Sequence, residues 1–98
     1  MVKHIILWTL KEGVDIVAVK ADMKQALEAL VGIVPGLLTM KIITAPLASA
    51  NADVMLYSEF ESEEALKGYA VHPAHVLVAD TKVRPFTKTR TVMDYEDI

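Results

Sequence analysis

The first strand-like segment of the chain carries aliphatic side chains on both of its faces, and this feature most constrains the fold. Val2 to Leu10 is rich in β-branched and aromatic residues, which is typical of a β-strand. Because alternate side chains of a strand point to opposite faces, Ile6 and Trp8 share one face. Ile5 and Leu7 share the other face. A sheet with one face in water alternates apolar and polar residues, so we expect this strand to be covered on both faces.

Composition strengthens the same expectation. The chain has 98 residues, which predicts a single domain over residues 1–98. Hydrophobic residues make up 53% of it, yet a domain this small buries only about two thirds of the surface of its unfolded chain. The chain must then either expose apolar surface or cover it with a partner. We therefore expect an oligomer before any motif is considered.

Charge and residue usage exclude several classes of function. The formal net charge is −3, which gives no electrostatic case for a nucleic-acid partner. The longest uncharged run, Ala29 to Met40, is far shorter than the ~20 residues that a membrane span needs. The chain has no cysteine, which excludes disulfides and thiolate chemistry. We expect a soluble cytoplasmic protein that binds neither nucleic acid nor membrane.

Capping and stop signals predict the helices. The first helix begins after the N-cap Asp15 and extends to about Ile33, before Pro35 and Gly36. The second is capped by Ser62, which two glutamates follow, and extends to about Val71.

A third, short helix is expected directly after the second. His72 precedes Pro73, which disfavours helical geometry at His72 and ends the preceding helix there. Pro73 itself suits the first position of a further short helix.

The remaining segments predict strands and, with them, the fold class. The predicted strands are Val2–Leu10, Leu37–Ala45, Asp53–Glu61 and Arg84–Tyr95. The order β-α-β-β-α-β is typical of an α+β, ferredoxin-like fold with a four-stranded antiparallel sheet. Since the helices cover only one sheet face, we expect a homodimer in which two sheets pack face to face as a dimeric α/β barrel.

The predicted fold brings a small set of ionisable residues together. His4 shares a strand face with Ile6 and Trp8, and it is expected to project toward the Tyr69–His75 segment. An apolar pocket with a few convergent polar groups is typical of a small-molecule site. In the first turn of the short helix, the helix dipole would lower the pKa of His75, and a neutral imidazole can act as a general base. Tyr69 could donate a hydrogen bond to a developing enolate oxygen.

Structural roles explain the same residues. His75 suits a helix cap or a surface position, His72 a backbone contact at the helix break, and His4 a satisfied core histidine. Tyr69 could be a core residue with its hydroxyl at the edge. A three-histidine metal site is a further alternative, although Pro73 separates two of the histidines and no carboxylate cluster accompanies them.

Two segments of the sequence resemble the stress-responsive dimeric α/β-barrel family. They are Val2 to Trp8 and the block Tyr69 to Val76, and the resemblance extends over the whole chain. It implies a homodimer formed through the sheets. By similarity to a plant polyketide cyclase of this family, it also implies that Tyr69, His75 and His4 act in lyase, cyclase or isomerase chemistry that requires no cofactor.

The same resemblance implies a lining for the pocket and a cation site. Relatives hold magnesium on backbone carbonyls that correspond to Val31, Val34 and Leu37, and oxygen ligands suit such a hard cation. Thr89 and Thr91 fall at positions that are apolar in the cyclase pocket. The pocket positions, to which we add His72, are Ile6, Trp8, Met23, Leu27, Leu56, Leu66 and Val76.

The substrate and the class of function stay open at this point. Trp8 replaces a smaller aliphatic residue of the cyclase, and Met23 replaces an aromatic one, so the polyketide substrate is not implied. We expect a small apolar or carbonyl ligand. The alternatives are a non-catalytic stress or scaffold dimer, and an oxygenase related to the antibiotic-biosynthesis monooxygenases.

Overall fold

Four antiparallel strands form one sheet in the order β2-β3-β1-β4, in a computed structural model that describes all 98 residues. Because β1 pairs with both β3 and β4, its side chains lie near the centre of each sheet face. The strands are β1 (Val2–Leu10), β2 (Leu37–Ile43), β3 (Val54–Phe60) and β4 (Thr87–Glu96). The predicted ferredoxin-like fold is confirmed, with small shifts at the strand ends.

The helices all pack on one face of this sheet. Asp15 accepts a hydrogen bond from the Ala18 N–H at 3.1 Å, and Ser62 accepts one from the Ala65 N–H at 3.1 Å. Both predicted N-caps are therefore confirmed. The helices are α1 (Ile16–Glu28), α2 (Glu63–Val71) and α3 (Pro73–Val78), and a π-helical turn follows at Ala79–Val83.

The predicted end of the first helix is wrong. α1 ends at Glu28, and residues 29 to 34 form turns. Gly32 has a φ of +91°, a left-handed conformation that cannot continue an α-helix. Leu30 and Val34 stay buried in this turn region, whereas Ile33, the predicted last residue of the helix, is 55% exposed.

The hydrophobic core lies between the helices and the even-numbered face of β1. Ile6 and Trp8 are buried there, and Met23 and Leu27 of α1 pack against them. On β3, the alternation buries every second side chain from Val54 to Phe60. Burial therefore alternates from one strand residue to the next, as the alternating sequence pattern predicts.

The opposite sheet face has no layer over it in the single chain. Leu7, Ile43 and Met93 are exposed on or beside it. In its centre, Lys3 donates a hydrogen bond to the Tyr57 hydroxyl at 2.7 Å and also contacts the Glu59 carboxylate. We call this surface the open sheet face. No helix of the chain is long and apolar enough to cross a membrane.

Candidate functional site

A cavity of about 580 Å³ lies between α2, α3 and the β1–β4 half of the sheet. A smaller cavity of about 70 Å³ adjoins it toward Trp8, Leu27 and Leu56. Tyr69, His75 and Arg90 line both cavities. The two cavities therefore form one site, which we call the interlayer cavity.

Tyr69 stands in the last turn of α2 with its ring in the core and its hydroxyl at the cavity. The side chain is 3% exposed, and its hydroxyl is shielded from solvent without any hydrogen-bond partner. Its ring centroid lies 5.1 Å from that of Phe60 and 4.0 Å from that of His75. Burial raises the pKa of Tyr69 well above its ordinary value, and the positive charge of Arg90 opposes this shift. The phenol is therefore protonated and able to donate.

His75 is placed by the break between α2 and α3. His72 Nδ1 accepts a hydrogen bond from the Ala74 N–H at 3.1 Å, which caps α3. In the first turn of α3, the half-buried His75 ring faces the cavity, and its Nδ1 has no hydrogen-bond partner.

The environment of His75 favours the neutral ring. Burial lowers its pKa most, and the charge of Arg84 lowers it further. The backbone carbonyl groups of Ala70 and Tyr69, which lie near the ring without making an aligned hydrogen bond to Nδ1, oppose this shift. The predicted direction is confirmed, but its main cause is burial, whereas we had expected the helix dipole.

His4 lies on β1 beneath these two rings. Its side chain is 7% exposed, and its Nδ1 contacts the carboxylate of Asp94 on the neighbouring strand. The ring centroid lies 6.2 Å from that of Tyr69, in an edge-on arrangement. Since Nδ1 is engaged by an acceptor, the proton sits on Nδ1 and a neutral ring keeps a lone pair on Nε2. The structure thus brings His4, Tyr69 and His75 together around one cavity, as the sequence predicted.

The predicted pocket residues divide into four groups. Leu66 lines the larger cavity, and the smaller one is lined by Trp8, Leu27 and Leu56. Ile6 and Met23 lie in the core behind the wall, and neither reaches the cavity surface. Val76 is half-buried outside the lining. His72 acts as the helix cap described above, which is the structural role that we had weighed for it.

The geometry gives little support to the three-histidine site or to the magnesium site. His72 is used as a cap, and no group of three or more His, Asp or Glu side chains is arranged to hold a metal ion. For the magnesium site, the carbonyl of Val34 already accepts a hydrogen bond from the Leu37 N–H at 3.3 Å. Three carbonyls supply only half of the octahedral shell that magnesium demands. The magnesium site at Val31, Val34 and Leu37 stays a prediction.

The sequence reasoning missed the contribution of β4 to the site. Trp8 pairs with Arg90 and Ile6 pairs with Val92, so these β4 residues face the helices. Thr89 and Thr91 instead pair with Thr9 and Leu7 on the open sheet face, so their expected pocket positions are wrong. A β-bulge near Leu10 sets this phase, and nothing in a threonine-rich strand reveals a bulge.

The geometry supports acid–base chemistry on a bound molecule. A neutral imidazole and a protonated phenol reach one cavity without partners in the protein. A buried polar group without a partner costs roughly 1–3 kcal/mol, so two of them at one site are an unusual feature.

Solved structures with the same fold were found in several organisms. A dimeric ferredoxin-like protein of unknown function from Bacteroides fragilis is 30% identical, with a TM-score of 0.88, over 98% of this chain and 95% of that chain. A protein from Arabidopsis thaliana is 25% identical, with a TM-score of 0.85, over 100% of this chain and 96% of that chain. Further structures are also dimeric ferredoxin-like proteins of unknown function.

An oxygenase-like protein shares the fold as well. A structure from Nitrosomonas europaea that is named for antibiotic biosynthesis monooxygenase is 16% identical, with a TM-score of 0.78, over 100% of this chain and 99% of that chain. An identity this low shows the fold alone. No curated protein matches the sequence.

The family model for the stress responsive A/B barrel domain matches residues 2–97. The match includes β1 with His4 and the Tyr69–His75 break, the parts of the sequence that carried the resemblance. The chain therefore belongs to the stress-responsive A/B barrel domain family.

Proposed function

We propose that this protein binds a small carbonyl compound in the interlayer cavity and catalyses lyase, cyclase or isomerase chemistry by acid and base alone. One observation carries the proposal: the Tyr69 hydroxyl and His75 Nδ1 are both without partners in the same cavity. A scaffold protein has no use for two such groups, because each lowers its stability. A site that awaits a ligand explains both.

The roles of the residues follow from their protonation states. Neutral His75 removes a proton from the carbon next to a carbonyl group and thereby becomes an imidazolium. Tyr69 donates a hydrogen bond to the carbonyl oxygen, on which negative charge develops as the enolate forms. His4, which Asp94 orients, positions the ligand from the sheet side. The enolate then either regains the proton from His75 or attacks a second carbonyl carbon. In the second case the C=O π bond of that carbonyl breaks, and its oxygen takes the proton from the His75 imidazolium, which restores the neutral ring.

We also propose that the functional unit is a homodimer. The Bacteroides fragilis protein that is 30% identical to this chain is dimeric, and the open sheet face of this chain leaves apolar side chains such as Leu7 and Met93 without cover. Packing two such faces together would bury them and leave both interlayer cavities on the outer sides of the sheets.

Proton exchange next to a carbonyl tests the chemistry without knowledge of the substrate. In deuterated buffer, NMR would follow loss of the α-proton signals of 4-phenyl-2-butanone with catalytic amounts of protein. We expect the wild type to accelerate the exchange. His75→Gln should reduce the acceleration by about 10²–10⁴-fold, the usual contribution of a general base. Tyr69→Phe should reduce it by about 10²-fold or more, the loss typical of one oxyanion donor.

Tyr57→Phe is the matched control, since it removes a phenol hydroxyl on the open sheet face, outside the interlayer cavity. It should leave the exchange rate unchanged. The proposal fails if the wild type binds the ketone but His75→Gln exchanges it at the same rate. That result would favour the non-catalytic scaffold dimer.

A further inference from the structure

Charge is distributed unevenly along the wall that β4 gives to the cavity. Arg90 pairs with Trp8, Asp94 pairs with His4, and Glu96 lies at the level of Val2. At about 3.3 Å per residue, Arg90 and Asp94 are separated by roughly 13 Å of strand. The cavity therefore has a basic end and an acidic end.

Arg90 is the charged group at the basic end that has no partner. Arg84 forms an ion pair with Asp80, and Asp94 is engaged by His4. Arg90 is exposed at the cavity and makes no ion pair and no side-chain hydrogen bond. It lines both parts of the interlayer cavity, and its charge acts on the Tyr69 hydroxyl. A guanidinium without a protein partner, in the same cavity as an unpartnered phenol, can receive an anionic group of a ligand.

We propose that the ligand of the interlayer cavity is a carboxylic acid whose carboxylate is bound by Arg90. This inference rests on the proposed function and adds the class of substrate to it. The planar guanidinium matches a carboxylate with two parallel hydrogen bonds. A phosphate monoester would bring nearly two negative charges to a single arginine. The arrangement therefore favours a carboxylate.

The position of Arg90 also defines how the ligand lies. With its carboxylate at Arg90, the rest of the molecule extends past Tyr69 and His75, which line the same two cavities. Its apolar part meets the neighbouring aliphatic side chains, such as Leu66 and Val92. The carbonyl or enol oxygen of the ligand then stands within reach of the phenol.

Two probes of nearly equal shape, one anionic and one neutral, separate the effect of the charge on binding from the effect of the shape. Isothermal titration calorimetry would compare 3-phenylpropanoate with 3-phenylpropanamide, and phenyl phosphate would test the other anion. We expect the wild type to bind the carboxylate about tenfold more tightly than the amide, as one charge-assisted hydrogen bond predicts. Phenyl phosphate should bind more weakly than the carboxylate. The ring C–H signals of His75 in NMR spectra would report whether each probe enters the cavity.

Variants at two cationic residues of β4 complete the experiment. Arg90→Gln should abolish the preference for the carboxylate and leave the affinity for the amide unchanged, and Arg90→Lys should keep part of the preference. Lys88→Gln is the control, because Lys88 is an exposed cation of the same strand that lines neither cavity, so it should have no effect. An Arg90→Gln protein that still prefers the carboxylate overturns this inference. If the amide shifts the His75 signals as strongly as the carboxylate and binds equally well, the carboxylate inference fails and the proposed function stands. If no probe shifts them, both fail.

Discussion

Removing the hydroxyl of Tyr69 should stabilise the protein, whereas most mutations in a hydrophobic core destabilise it. This hydroxyl is shielded from solvent and has no hydrogen-bond partner, while the ring packs against Phe60 and His75. Tyr69→Phe removes the hydroxyl and keeps the ring contacts. Since an unpartnered buried polar group costs roughly 1–3 kcal/mol, we expect the free energy of unfolding to rise by about 1 kcal/mol. The variant should lose catalysis and gain stability.

The size of the effect suits a thermal or chemical denaturation assay. For a domain of this length, 1 kcal/mol corresponds to about 4–8 °C in Tm. Tyr57→Phe provides the contrast, because the Tyr57 hydroxyl accepts a hydrogen bond from Lys3 and donates one to Glu59. The free energy of unfolding of Tyr57→Phe should fall by about 1 kcal/mol. Both variants must be measured at the same protein concentration, because a dimer gains stability with concentration.

The reasoning is refuted if Tyr69→Phe lowers the free energy of unfolding by 1 kcal/mol or more. Such a loss would mean that the hydroxyl has a partner in the folded protein. The scaffold interpretation would then account for Tyr69 better than a ligand site does.

Three further predictions concern the pH response, the backbone and the dimer. Burial lowers the pKa of His75 below its ordinary 6.5, so the unfolded chain binds more protons and stability falls as the pH drops below about 6.5. Denaturation at several pH values below 6.5 should show that His75→Gln flattens this dependence of the free energy of unfolding on pH. Gly36→Ala should cost about 2 kcal/mol in denaturation experiments, because φ is +80° and the new methyl group would lie 2.5 Å from a β-carbon of α2. Gly68→Ala in α2, where the space around the glycine is open, should raise the free energy of unfolding by about 0.5–1 kcal/mol. Equal effects of Gly36→Ala and Gly68→Ala would contradict the argument from backbone conformation. Light scattering should give a mass of twice 10.8 kDa for the wild type and 10.8 kDa for Leu7→Glu on the open sheet face. The control Val17→Glu, on the exposed side of α1, should keep the mass of the wild type. A dimeric mass for Leu7→Glu would place the interface elsewhere.

The element order and the caps were predictable because they depend on local signals. Asp15 and Ser62 cap helices through bonds to residues three positions along the chain. The alternation of β1 correctly placed Ile6 and Trp8 under the helices. Proline at position 73 marked the break that orients His75. Signals of this kind are written into neighbouring residues, so a single sequence shows them.

The phase of β4 and the end of α1 depend on long-range or conformational facts that the sequence does not show. Thr89 and Arg90 could each have faced the cavity, and only the bulge in the pairing with β1 decides between them. Apolar spacing continued past Glu28 to Ile33, but the left-handed Gly32 redirected the chain. For the same reason Arg90 was missed as a cavity residue.

A crystal structure of the dimer with a bound carbonyl probe tests the central claim most directly. Soaking with 3-phenylpropanoate and with 4-phenyl-2-butanone would give independent views of the cavity. We expect ordered density between the sheet and α2, with an oxygen atom at hydrogen-bond distance from the Tyr69 hydroxyl. An interior closed by aliphatic side chains, in which the phenol and His75 Nδ1 bond to protein groups, would contradict the proposed site.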